Sequence, residues 1–172
     1  MTTQTTLLDL DSLLDQNLAA VKAVPEYVTP DTGNYRLKLT KITVVQREAK
    51  DKDKALAEGK PAAWGQMNFD YTIEAIHSVA EGGLPVAAGS LFRESFNITE
   101  QGLPYLKGRI VDLVVAQGGS AEDADSLGLR DVMNSFPDLG IVFDCHIKTE
   151  TKKLDNGNDW TSSRLSQIKA AE

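Results

Sequence analysis

"YRLKLTKITVVQ", residues 35–46, decides how the rest of the chain folds. Tyr35, Leu37 and Leu39 alternate with Arg36, Lys38 and Thr40, which is the period of a half-buried strand. After Lys41 the apolar phase moves to Ile42 and Val44. A phase slip inside one long strand predicts a bulge or a sharp bend. A bent first strand can serve two halves of a curved sheet.

Three further stretches on the C-terminal side alternate in the same way. "WGQMNFDYTIEAIHS" (64–78) sets Met67, Phe69, Tyr71 and Ile73 against Asn68, Asp70, Thr72 and Glu74. "LFRESFNIT" (91–99) puts Phe92, Phe96 and Ile98 on one face, and "IVFDCHIKTETKK" (141–153) follows suit. "DNGN" (155–158) is a hairpin turn signal, after which "WTSSRLSQIKA" (160–170) reads as a fifth strand. Between the third and fourth strands, Leu103, Leu106, Ile110, Leu113 and Val114 recur at helical spacing. Thr99 stands at the start of that segment as a cap, Pro104 falls in the first turn, and Gly118-Gly119 provides a stop. "SAEDADSLGLRDVMNSFPDLG" (120–140) reads as one or two short helices, and its acids resemble a helix start rather than a calcium loop.

This order predicts a mainly β protein. Its form is a five-stranded OB-fold Greek-key barrel, with a helix between strands three and four. A two-layer α+β sheet is the structural alternative. On the N-terminal side, Leu7, Leu10, Leu14, Leu18 and Val21 have helical spacing, and Pro25 and Pro30 then break the chain. Residues 1–30 are therefore expected to be a helical arm and linker, and residues 31–172 the barrel. At 172 residues the chain can bury a core without disulfides. Cys145, the only cysteine, alternates with Ile141, Phe143 and Ile147 and reads as core; His77 and His146 read as structural or surface groups. The sequence shows no metal, phosphate-loop or nucleophile motif, so no cofactor and no catalytic activity are expected. No apolar run is long enough for a membrane span, and the N-terminus has no signal-like segment. A cytoplasmic location is expected.

The formal net charge is −7, against a simple electrostatic case for nucleic-acid binding. The distribution is uneven. Residues 34–60 hold eight bases and four acids, and residues 146–172 hold five and four. Residues 1–33 hold one base and five acids, and residues 61–145 four and twelve. A ligand responds to the local field rather than the total.

"TPDTGNYRLKLTKITVVQ" (29–46) and "LFRESFNITEQGLPYLKGRIVDLVVAQG" (91–118) together resemble the single-stranded-DNA-binding proteins of tailed bacteriophages. The resemblance extends over about residues 30–168 as a pattern of elements. It implies an OB-fold, sequence-independent binding of single-stranded DNA, and work alongside replication or recombination proteins. Many such proteins end in an acidic tail. "RLSQIKAAE" (164–172) is not one, and the acidic, leucine-rich segment stands at residues 6–22 instead. Homo-oligomer formation or partner docking is expected there.

Non-specific single-strand binding needs cations for phosphates and flat side chains on which bases stack. The loop between the first two strands supplies Arg47, Lys50, Lys52, Lys54 and Lys60 and ends at Trp64. The loop between the last two supplies Lys152 and Lys153 and ends at Trp160. Arg36, Lys38, Arg93, Lys148 and Arg164 add cations from the strands. The same residues also fit a solvated mixed-charge loop, edge protection and edge packing. Tyr71 shares a face with Phe69 and Ile73 and reads as core. Two other functions remain open on the sequence: a phage structural or assembly protein, and an accessory interaction module of a replication complex.

Overall fold

A computed structural model describes residue 19 and residues 24–172. Five strands form one antiparallel sheet: β1 (Gly33–Glu48), β2 (Ala63–Val79), β3 (Leu91–Ile98), β4 (Val142–Lys153) and β5 (Asp159–Ala170). Their order is β3-β2-β1-β4-β5. The protein is thus mainly β, as its alternation predicts. The helical arm expected over residues 6–22, and its part in self-association, lie outside the described residues apart from Ala19.

β1 pairs with β2 along its whole length but with β4 only from Gly33 to Lys38. Immediately beyond that point comes the phase slip. Leu39 pairs with Tyr71 and Lys41 with Asp70, so Thr40 is the extra residue of a bulge. The Thr40 hydroxyl donates to the Asp70 carbonyl at 3.0 Å. Two more register shifts, at the Asn34/Tyr35 and Arg36/Leu37 steps, bend the other end of the pair. Tyr35, Leu37, Leu39 and Ile42 are buried as expected. Val44, expected inward, is 45% exposed because β1 has by then run past the core.

The core gathers Met67, Phe69, Tyr71 and Ile73 from β2, Phe92 from β3, Phe143, Cys145 and Ile147 from β4, and Leu165 from β5. Tyr71 meets Phe143 edge-on at 5.5 Å, tying β2 to β4 across the interior. Burial pushes the Cys145 thiol up to about 12, so it is an inert core group.

Among residues 24–172 the helical elements are α1 (Lys52–Ala57), α2 (Leu103–Ala116), α3 (Ala121–Asp125), α4 (Leu129–Ser135) and a 3-10 turn (Phe136–Leu139). α2 buries Leu106, Ile110, Leu113 and Ala116 and packs on β3 and β5. Pro104 occupies its first turn, and Gly118 ends it with a left-handed φ of 88°. Thr99 does not cap the helix itself. Its side chain accepts from Gly102 N at 3.1 Å, one turn earlier, and Gly102 is the cap residue. A Cβ at Gly102 would overlap the Asn97 carbonyl, so a glycine is what lets α2 sit against the end of β3. The acids of 120–125 do start a helix, with Ser120 and Asp123 capping each other.

The outer face of β2 differs from expectation. Asn68 and Asp70 alternate outward, yet they are 2% and 3% exposed. Neighbouring β3 covers them with Ser95 and Arg93, and residues 26–28 run beside the start of β3. Val28 N donates to Leu91 O and Leu91 N to Glu26 O, both at 2.8 Å. The end of the expected linker is therefore fastened to the sheet.

The two edge strands, β3 and β5, have no backbone ladder between them among the described residues. A side chain joins them instead. Arg109 of α2 binds Glu94 of β3 through two contacts of 2.7 and 2.9 Å, and donates to the Leu165 carbonyl of β5 at 3.1 Å. Tyr71 OH donates to the same Glu94 carboxylate at 3.4 Å. Burial raises the Glu94 carboxyl above its ordinary range, against the opposing pull of Arg109.

Candidate nucleic-acid interface

The loop between β1 and β2 is not wholly irregular. Asp51 accepts from Lys54 N at 2.9 Å and caps α1, so Lys50, Lys52 and Lys54 stand on and beside a helical turn. Lys52 pairs with Glu48 at 3.0 Å and Lys60 with Glu58 at 2.8 Å, all four side chains largely in water. Such exposed pairs are weak and exchange readily for a phosphate. Lys50 and Lys54 have no ion-pair partner among the described residues. Arg47 donates to Gln66 at 3.0 Å.

At the hairpin, Lys148 pairs with Glu150 at 2.7 Å. Lys152 and Lys153 are exposed and unpaired among the described residues. In register, Lys152 lies opposite Trp160 and Lys148 opposite Arg164. Lys38 is exposed at the centre of β1.

Arg36 and Arg93 are engaged elsewhere. Arg36 grips Asp144 with bonds of 2.8 and 3.0 Å, and His77 Nε2 lies 3.0 Å from the same carboxylate. Arg93 grips Asp70 at 2.6 and 2.9 Å, while its guanidinium lies 4.6 Å over the Tyr27 ring. Tyr27 OH completes the cluster with a 2.7 Å bond to Asp70. These two arginines neutralise buried acids, whereas the loop lysines have exposed acidic partners or none among the described residues.

The acids carry the mark of that engagement. The Arg36 hydrogen bonds hold Asp144 far below the usual carboxylate range, with His77 assisting and burial opposing. At Asp70 burial pushes upward, and the Arg93 and Tyr27 hydrogen bonds outweigh it, leaving the carboxyl below its ordinary value. A depressed folded-state pKa contributes stability above the unfolded value of about 3.9, and that stability is lost as pH falls through the folded pKa. The melting temperature is therefore expected to drop on acidification below about pH 4 to 5. Asp144→Asn should flatten that dependence; an unchanged slope in the variant would exclude Asp144 as its source.

Two grooves carry the tryptophans. Trp64, half-buried at the start of β2, donates from Nε1 to Asn97 at 3.1 Å. It lines a groove between the β1–β2 loop and residues 97–101, with Lys60 and Glu100 on its walls. Trp160, 50% exposed, lines a second groove of about 860 Å³ between β3, α2 and β5. Asn97, Thr99 and Gln101 belong to both. Arg164 borders the second groove. Trp64 and Trp160, remote in sequence, thus border grooves that share the end of β3, while Lys152, Lys153 and residues 154–158 line neither groove.

Tyr105 is the residue that the sequence reading passed over. It stands 75% exposed on α2 and lines the second groove opposite β5. Its signal was visible: an aromatic off the Leu106–Ile110–Leu113 stripe. No group of three or more His, Cys, Asp or Glu among the described residues is placed to hold a metal ion. No described helix is long and apolar enough to cross a membrane. No family model, curated protein or solved structure matches the chain.

Proposed function

We propose that the chain binds single-stranded DNA without sequence preference and without catalysis, on an OB-type barrel, and protects exposed strands during phage replication or recombination. One observation carries this. Two lysine-bearing loops each end in a tryptophan, and the two tryptophans border grooves that share Asn97, Thr99 and Gln101. Cations beside aromatic platforms are what a flexible, sequence-tolerant strand requires. The barrel assignment is supported by β1 pairing with both β2 and β4 across a bulge, and by α2 bridging the edge strands.

Phosphates would contact Lys50, Lys52, Lys54, Lys60, Lys152, Lys153 and Arg164, and bases would stack on Trp64 and Trp160. Replacing Lys50, Lys52 and Lys54 by Gln tests the electrostatic half. Each lost phosphate contact should reduce the log–log salt slope by about 0.7, so the triple variant is expected to flatten it by about 2. Oligo(dT) titrations between about 50 and 200 mM salt read this out. A triple variant with the wild-type slope would remove the β1–β2 loop from the interface.

A further inference from the structure

We infer that the groove between α2, β3 and β5 is a base-binding site, in which Tyr105 and Trp160 each receive an unpaired nucleobase, separate from the cationic loops that hold the phosphates. The inference rests on the single-strand reading above and says which part of the strand goes where.

The two walls are both aromatic and both open. Tyr105 is 75% exposed and Trp160 50%, and neither side chain has a hydrogen-bond partner among the described residues. Large aromatics normally bury most of their area, so two in one groove leave a stacking surface unfilled. The groove's volume of about 860 Å³ lies within the roughly 300–1,000 Å³ of small-molecule sites. Its other lining suits bases rather than phosphates. Asn97, Thr99, Gln101, Ser162 and Ser166 offer neutral donors and acceptors. In the same lining Glu94 and Asp112 are matched by Arg109, and Arg164 borders the groove as the phosphate contact proposed above. Arg109 is already held by Glu94 and, at 2.9 Å, by Asp112. Only Arg164, at the border, is left for a phosphate, and the rest of the lining offers little to a polyanion without bases.

The walls are also held in place. The Arg109 bonds to Glu94 and to the Leu165 carbonyl fix α2 against both strands, and Gly102 seats its start on Asn97. Rigid platforms lower the ordering cost of binding. A duplex keeps its bases stacked on one another and cannot fill such a site; a single strand can.

The test compares oligo(dT) with an abasic strand of the same length, on the wild-type protein and on Tyr105→Ala and Tyr105→Phe. Wild type should bind oligo(dT) more tightly than the abasic strand. Tyr105→Ala should weaken oligo(dT) binding by about 5- to 100-fold, with the salt slope and the abasic affinity unchanged, and Tyr105→Phe should restore it. The residue is exposed, so equal melting temperatures are expected across the set. Should Tyr105→Ala bind oligo(dT) like wild type, or should wild type bind both strands equally, the groove is not a base site and the single-strand reading stands. Failure of wild type to bind either strand removes that reading, and this inference with it.

Discussion

Arg109→Met is expected to destabilise the protein by about 3–5 kcal/mol. The substitution leaves Glu94, whose side chain is 11% exposed, without the cation that compensates its burial. An uncompensated buried charge is among the costliest single changes a fold can suffer. It also removes the donor to Leu165, and with it the side-chain tie between β3 and β5, the two edges that share no ladder among the described residues. Removing both charges together, as Arg109→Met with Glu94→Gln, should recover part of the loss, since neither partner is then left ionised and alone. The exposed pair Lys107–Asp125, at 2.7 Å, is the contrast: Lys107→Ala should cost no more than about 1 kcal/mol. Urea unfolding of the four proteins measures all of this. A loss below about 1 kcal/mol for Arg109→Met would place the bridge among ordinary surface pairs.

Replacing Trp64 and Trp160 together by Ala should reduce affinity for oligo(dT) at least about 30-fold. Each stacked base is worth about 1–3 kcal/mol, which for two bases gives that bound, and because the grooves share Asn97, Thr99 and Gln101 a departure from the sum of the single variants would read their coupling. The single variants should differ in a second respect. Trp64 donates to Asn97, and its loss should lower the melting temperature slightly. Trp160 has no such bond among the described residues and should leave stability unchanged. Equal affinity of the double variant and wild type would show that the tryptophans are edge packing, the alternative that their positions at strand starts also allow.

Much of the fold was legible because its strands are half-buried. The slip after Lys41 marked the bulge at Thr40, and "DNGN" marked the hairpin, whose Gly157 has a φ of 81°. α1 was hidden because its residues bury nothing, so no apolar stripe announces it; only the Asp51 cap could have. The buried outer face of β2 was hidden for another reason. Asn68 and Asp70 read as solvent-facing by alternation, and their cover comes from a neighbouring strand and from Tyr27, 43 positions away from Asp70. Arg36 illustrates the same limit at the site. Its charge is plain in the sequence, while its partner Asp144 is 108 residues distant. Loop lysines escape that difficulty, because exposed chains leave them few alternatives to water. Tyr105 was legible and was missed, since an aromatic on a helix is usually counted with the core.

Titrating oligo(dT) into the protein at about 50 mM salt, while following tryptophan fluorescence, tests single-strand binding most directly. Quenching that saturates is predicted, with a Kd in or below the range of about 10⁻⁴–10⁻⁶ M typical of non-specific binding. The affinity should fall with salt at a log–log slope of about −3 to −4, which corresponds to about four to six of the proposed cations engaging phosphates at once. A duplex of equal length should quench far less. No quenching and no complex at that salt, or equal binding of duplex and single strand, would contradict the proposed function.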